Sequence, residues 1–419
     1  MGSLKYTLID YLKTNNLTKP IYSKLKKKMS PTSLKMEDIQ TIVPVAGAGD
    51  EVRYNLILPT LRNTKVFGGI LTTIKILRGL LKNTNYKARI IVLYNENYSE
   101  KWTYKVDGFT YDKKADYQIA YASEKGGIEV NENDIFIFSN WRTVYSFMPV
   151  LNWQINTFHL KKRKALYLIQ DYEPGFYAWS TEYVLAESTY KTDADKIIAL
   201  FNSKELYDFF QKKGYHFPIE EYFEPTLNEN LKRELLSQTT AKREKQILIY
   251  GRPTEHRNAF EIIKGALTIW SEEYPEASDW TIISLGEYYE NIKLSNNVIE
   301  VKGKVSLEEY AHIMLTSYAG ISLMISPHPS YPPLEMSTFG VRTITNTFEN
   351  KDLTYFSDNI ISINNCTPAE IAHKLSQICD EYDRVNTKIN VDSSYVKGGL
   401  FDEAVEKIGV DLYEMVNSD

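Results

Sequence analysis

The sequence predicts an α/β protein built from two doubly wound units, on three observations. From about residue 52, short apolar runs rich in β-branched residues alternate with segments whose apolar residues recur three and four apart. That alternation is the mark of a parallel sheet with helices on its faces. It loosens between Thr226 and Lys245 and then restarts. Finally, 419 residues are too many for one ordinary core and suit two domains of about 150–200 residues.

The first unit begins with Tyr54 to Leu58 as a strand and Ile70 to Leu81 as an amphipathic helix. Ala88 to Tyr94, Asp134 to Phe138, Ala165 to Ile169 and Lys196 to Phe201 follow as buried strands, and Gly214 stops a helix over Lys204 to Lys213. The polar stretch Thr226 to Lys245 reads as a linker. In the second unit, Gln246 to Tyr250, Trp280 to Leu285, Val298 to Val301, Gly320 to Ile325 and Arg342 to Thr345 read as strands. Helices are expected over Ala259 to Trp270, from a capping box at Ser306 and Glu309 to about Thr316, from Glu335, and over Pro368 to Tyr382. Phe401 to Val416 is a closing amphipathic helix, expected to pack back on the first unit. The domains are thus set at 1–40 for a basic extension, 41–240 and 241–400.

The composition excludes several classes. A hydrophobic share of 43% and a charged share of 25% are a globular balance. No run approaches the length of a membrane span, and Met1-Gly2-Ser3-Leu4-Lys5 does not read as a signal peptide. With Cys366 and Cys379 alone, a disulfide framework is not expected and a cytoplasmic location is. A net charge of −5 gives no case for nucleic acid. Residues 1 to 36 are locally basic, with Lys26-Lys27-Lys28, and offer peripheral contact with the inner face of an anionic membrane. Six scattered histidines give no metal-ligand spacing, so neither a metal nor another cofactor is expected.

Ligands of open parallel sheets bind beyond the carboxyl ends of the strands, which directs attention to the loops there. Phe67-Gly68-Gly69-Ile70 opens a helix, and paired glycines at a helix N-terminus let backbone N–H groups approach an anion. Tyr250-Gly251-Arg252-Pro253-Thr254-Glu255-His256-Arg257 ends a strand with two guanidiniums five residues apart, and arginine forks match phosphate oxygens two at a time. Asp171 follows a strand of the first unit and is the candidate to orient, or take a proton from, an acceptor hydroxyl, with Glu173 in reserve.

The early Gly-Gly turn, the Gly-Arg-x-x-x-x-basic segment and the proline-rich turn into Glu335 together resemble the retaining glycosyltransferases of the GT-B fold, family 4 type. The resemblance covers roughly residues 50 to 415 and implies two Rossmann-like domains facing across a cleft. It implies that Arg252 and Arg257 contact the donor diphosphate, that Lys302, Gly303 and Lys304 lie near base and phosphate, and that Glu335 holds the ribose hydroxyls. It departs at Pro327, where the family has a first glutamate. Gln170-Asp171-Tyr172-Glu173-Pro174-Gly175-Phe176-Tyr177 and Arg257-Asn258-Ala259-Phe260 are similar to a rhamnosyltransferase branch that uses dTDP-β-L-rhamnose. The implied partners are a nucleotide-sugar donor and a lipid-linked, growing bacterial surface glycan. Two other readings stay open, a sugar-nucleotide epimerase of the same architecture and a carbohydrate-binding protein with a degenerate donor site.

Overall fold

A computed structural model describes residues 34, 36, 39, 41–60, 68–82, 84–93, 105–106, 109–110, 117–122, 126–237 and 242–418. The basic extension expected at 1–40 therefore lies almost wholly outside the described residues, and so does Phe67. The first sheet has seven parallel strands: β1 (Arg53–Leu58), β2 (Lys87–Val92), β3 (Tyr117–Tyr121), β4 (Asp134–Phe138), β5 (Ala165–Ile169), β6 (Ile197–Phe201) and β7 (Ile219–Tyr222). Their order is β7-β6-β5-β4-β1-β2-β3. The second sheet comprises β8 (Glu244–Gly251), β9 (Thr281–Gly286), β10 (Ile292–Lys293), β11 (Val298–Gly303), β12 (Ser317–Ile321), β13 (Arg342–Asn346) and β14 (Ile360–Ile363). Its order is β10-β11-β9-β8-β12-β13-β14, parallel except for β10.

Both sheets are covered on both faces. Along β1, Tyr54, Leu56 and Leu58 enter one buried cluster while Ile57 enters the other, the two-residue alternation of a strand. Ten helices of the described residues serve the argument: α1 (Gly68–Leu81), α2 (Trp141–Phe158), α3 (Thr181–Ser188), α4 (Lys204–Lys213), α5 (Glu229–Ser237), α6 (Phe260–Glu273), α7 (Leu307–Thr316), α8 (Tyr331–Thr338), α9 (Pro368–Asp380) and α10 (Leu400–Asn417). On α10, Phe401, Ala404, Val405, Ile408, Leu412 and Met415 are buried at helical spacing, and they join the first sheet's core. Gly79 of α1 permits that contact, because a Cβ there would lie 2.7 Å from the Val405 side chain.

The structure corrects the expected linker. Within Thr226 to Lys245, α5 places Leu231 and Leu235 in a core with Leu248 and Met314, and it packs on α7. Only one stripe of this helix is apolar, so its charged remainder hides the period in sequence. Core membership changes from the first unit at Phe223 to the second at Leu227, ahead of the boundary set at 240. The helix expected from Glu335 starts at Tyr331, since Pro332 and Pro333 sit in the first turn, where a missing N–H costs nothing. The strand expected over Gly320 to Ile325 is instead Ser317–Ile321. At Ser306 the hydroxyl accepts from Glu309 N, whereas the Glu309 carboxylate lies 3.7 Å from Lys302 Nζ. Unannounced in sequence, α2 carries Pro149 in its middle and is opened by a capping box between Asn140 and Thr143.

Candidate active site

Strand order reverses between β1 and β4 in the first sheet and between β8 and β12 in the second. Crevices outside the carboxyl ends of such strands are where open sheets bind ligands. The loops after β5, β8 and β12 meet there. Ile325 N donates to Arg257 O at 2.8 Å, which ties the two loops of the second sheet together. Five described non-glycine residues have positive φ, and three of them, Ala259, Ser330 and Glu349, stand in the loops after β8, β12 and β13. Such backbone costs about 1–3 kcal/mol per residue and concentrates at functional loops.

Asp171 and Arg257, chosen separately from the sequence, form an ion pair between the two units at 2.5 Å. Asp171 Oδ1 also accepts from Tyr172 N at 2.8 Å and from the Ser326 hydroxyl of the second unit. The Arg257 guanidinium lies 3.8 Å from the centroid of the Phe176 ring, a cation–π contact, and 3.7 Å from Glu255. Glu173, two residues beyond Asp171, is buried. Its Oε2 accepts from Trp141 N at 2.6 Å and from the Tyr167 hydroxyl at 2.9 Å. Burial pushes its carboxyl up to about 7.

Behind the pair, the turn Ser326–Ser330 is built from side-chain bonds. His328 N donates to Ser326 Oγ at 3.0 Å, and Ser330 N donates to His328 Nδ1 at 3.0 Å. Asn346 accepts from Met324 N at 2.7 Å and donates to Met324 O at 3.0 Å. Lys351 is fully buried, and its Nζ donates to the same carbonyl at 2.7 Å. Burial pushes the Lys351 amine down to about 7 against the opposing pull of Asp171.

Arg252 and Glu335 both act on the Tyr250 hydroxyl, whose pKa burial raises. Glu335 Oε2 accepts from Tyr310 at 2.9 Å, and burial lifts this carboxyl to about 7. Gly251 is needed at the strand end, since a Cβ would lie 2.3 Å from Ser284 Oγ. On the first unit, Gly68 and Gly69 open α1, and a Cβ on Gly69 would meet Gln170 at 2.9 Å, next to Asp171. Thr72, one turn on, hydrogen-bonds Tyr331 at the start of α8. Lys302, Gly303 and Lys304 stand at the end of β11, two strands from β8, with Gly303 at φ +65° beside Tyr288. The paired lysines are exposed there.

Sequence reasoning gave no role to Ser326, His328, Lys351, Phe176 or Tyr310, although Phe176 lies in the rhamnosyltransferase-like segment and Ser326 and His328 lie in the proline-rich turn into Glu335. Ser326 and His328 flank Pro327, the position where the expected glutamate is missing, and that was the available signal. Nothing local marks Lys351. Its burial follows from packing alone.

Comparison with known proteins agrees with this architecture. Residues 53–204 match the family model "WsaF, N-terminal domain" and residues 245–376 match "WsaF, C-terminal domain". Over 181 residues, 43% of this chain, it is 29% identical to an O-antigen biosynthesis protein RfbC of Myxococcus xanthus. The chain spans only 14% of that relative's length. Among solved structures, sucrose-phosphate synthase from Thermosynechococcus elongatus gives a TM-score of 0.55 at 9% identity, covering 88% of this chain and 100% of that one. Anabaena HepE in complex with UDP-glucose gives 0.52 at 11% identity, with the same coverage. At such identities these likenesses speak for the GT-B fold. With both domain models matched in order over about two thirds of its residues, the chain belongs to the WsaF family, and its fold is the GT-B fold.

Proposed function

We propose that this chain is a retaining rhamnosyltransferase. It moves L-rhamnose from dTDP-β-L-rhamnose onto a growing bacterial surface glycan, carried on a lipid at the inner face of the membrane. The observation that carries the reading is the Asp171–Arg257 pair, which sets a guanidinium of one domain against a carboxylate of the other at the carboxyl ends of the sheets. Surface-polysaccharide synthesis in the name of the Myxococcus relative supports the class of product.

In this reading Arg252 and Arg257 hold the diphosphate, and Gly68 and Gly69 offer N–H groups to it from the facing domain. Lys302, Gly303 and Lys304 border base and phosphate, and Glu335 accepts from the ribose hydroxyls. The bond from sugar C1 to the phosphate oxygen breaks as the bond from C1 to the acceptor oxygen forms. The acceptor proton passes to a donor phosphate oxygen or to Asp171. Charge builds on the departing diphosphate, and removal of one positioned cation there costs about 3–4 kcal/mol of barrier. Asp171 is engaged by Arg257 before donor arrives, so a diphosphate that claims the guanidinium frees the carboxylate for the acceptor.

The test is thermal stabilisation by dTDP, UDP, GDP and ADP in wild type and Arg252→Ala. At a hundred times its dissociation constant, a nucleotide adds about 2.7 kcal/mol. The expected result is selective stabilisation by dTDP that the substitution abolishes. Preference for another nucleotide discards rhamnose, and no response to any of them discards donor binding in favour of a carbohydrate-binding protein.

A further inference from the structure

His328 is 5% exposed, and the backbone amide of Ser330 occupies its Nδ1. An imidazole that accepts at Nδ1 carries its proton at Nε2. Among the described residues, that Nε2 has no hydrogen-bond partner. Its electrostatic neighbours are Asp171, Lys351 and Arg257, which places the ring in the charge cluster at the seam between domains. The turn that holds it is braced by Asn346, by Lys351 and by the Ile325–Arg257 backbone bond, so the ring is fixed before any ligand arrives. A buried donor left without an acceptor is destabilising, a penalty that a correctly placed ligand oxygen removes.

We infer that His328 is the residue that reads the transferred sugar, its Nε2–H donating to a glycosyl hydroxyl of the donor. This rests on the transferase reading above. The diphosphate is already met by two guanidiniums, which bind anionic oxygens better than a neutral ring does. Asp171 and Arg257, assigned above to the acceptor and to the diphosphate, both act electrostatically on the His328 ring, and the transferred sugar must sit between the acceptor and the diphosphate. A neutral donor suits that place because it adds no positive charge beside a sugar that becomes cationic in the transition state. Burial and the neighbouring cations hold the imidazole neutral, down to about 4. Removal of this contact costs discrimination between sugars and leaves nucleotide affinity intact, since a site built to bond a hydroxyl penalises its loss.

The experiment compares, by calorimetry, a free nucleotide with its own sugar nucleotide, using dTDP with dTDP-β-L-rhamnose and UDP with UDP-glucose. His328→Asn keeps an acceptor for Ser330 N and deletes the Nε2 donor, whereas His328→Gln returns an N–H near the Nε2 position. The expected result for His328→Asn is dTDP affinity within about twofold of wild type and dTDP-β-L-rhamnose affinity lower by about tenfold, the equivalent of one lost hydrogen bond. His328→Gln recovers part of that loss. Equal loss for nucleotide and sugar nucleotide would overturn the inference in favour of a role in shaping the turn, and so would no loss for either. Should the wild type prefer the UDP pair, rhamnose is discarded while the same comparison on that pair still decides the role of His328.

Discussion

Glu173 and Asp171 stand two residues apart on one loop and meet different surroundings. Asp171 faces a guanidinium, a hydroxyl and a backbone amide. Glu173 is buried, its hydrogen-bond donors among the described residues are the neutral Trp141 N and Tyr167 hydroxyl, and burial raises its carboxyl from 4.5 to about 7. Between those values the folded chain keeps a proton that the unfolded chain has released. This group's stabilising contribution is therefore complete below about pH 4.5 and is lost as pH rises through 7. Glutamine keeps an acceptor oxygen for both donors and has no proton to lose. Denaturant unfolding of Glu173→Gln is expected to gain on wild type between pH 5 and pH 8 by up to about 3 kcal/mol. A gap between the two that stays constant over that range would show that the carboxyl ionises elsewhere. The adjacent placement of Glu173 beside Asp171 was legible in sequence, but which of the two meets the charge was not. That depended on Arg257, 86 residues away in the chain.

At the level of elements, two helices fall in unexpected company. The amphipathic period of α10 could be read from sequence, and its burial against α1 and β7 takes it back across the chain to the first sheet. The apolar stripe of α5 is only Leu231 and Leu235, too thin to distinguish a helix from a polar linker before its partner is known. Docked on α7 it completes the second core, and Leu235 is fully buried. Leu235→Ala is expected to cost about 2–5 kcal/mol, as other buried Leu→Ala changes do. The measurement is the denaturation midpoint. A change below 0.5 kcal/mol, the ordinary size for surface positions, would mean that the segment behaves as the linker first expected.

The two domains also meet away from the Asp171–Arg257 pair and the Thr72–Tyr331 hydrogen bond. The turn after β13 reaches α4: Asn350 Nδ2 donates to Glu205 O at 2.8 Å, Glu349 pairs with Lys213 at 3.1 Å, and the Tyr355 hydroxyl donates to Glu205 Oε1. These contacts share no residue with Arg252 or Glu335, so they bear on how closely the domains approach and not on nucleotide chemistry. A hydrogen bond contributes about 1 kcal/mol net, a factor of about five in an equilibrium. Asn350→Ala combined with Tyr355→Phe is expected to enlarge the radius of gyration of the ligand-free protein in solution scattering. Nucleotide affinity should change by less than about twofold. An unchanged radius would mean that the remaining contacts, among them Asp171 with Arg257 and Ser326, Thr72 with Tyr331 and Lys213 with Glu349, hold the domains together without these two hydrogen bonds.

By itself the sequence determined the repeating strand–helix order, the two parallel sheets, and the candidates Asp171, Arg252, Arg257 and Glu335. Those features have local causes: two-residue and 3.6-residue periods, glycine at a strand end, and charge at a fixed spacing. Only the tertiary structure decided that Asp171 and Arg257 face one another, that Ser326 and His328 stand behind them, that Lys351 is buried beneath, and that α5 belongs to the second core. Each of these is a contact between residues distant in the chain. Such contacts are fixed by how two twisted sheets pack their loops together, for which no local pattern codes.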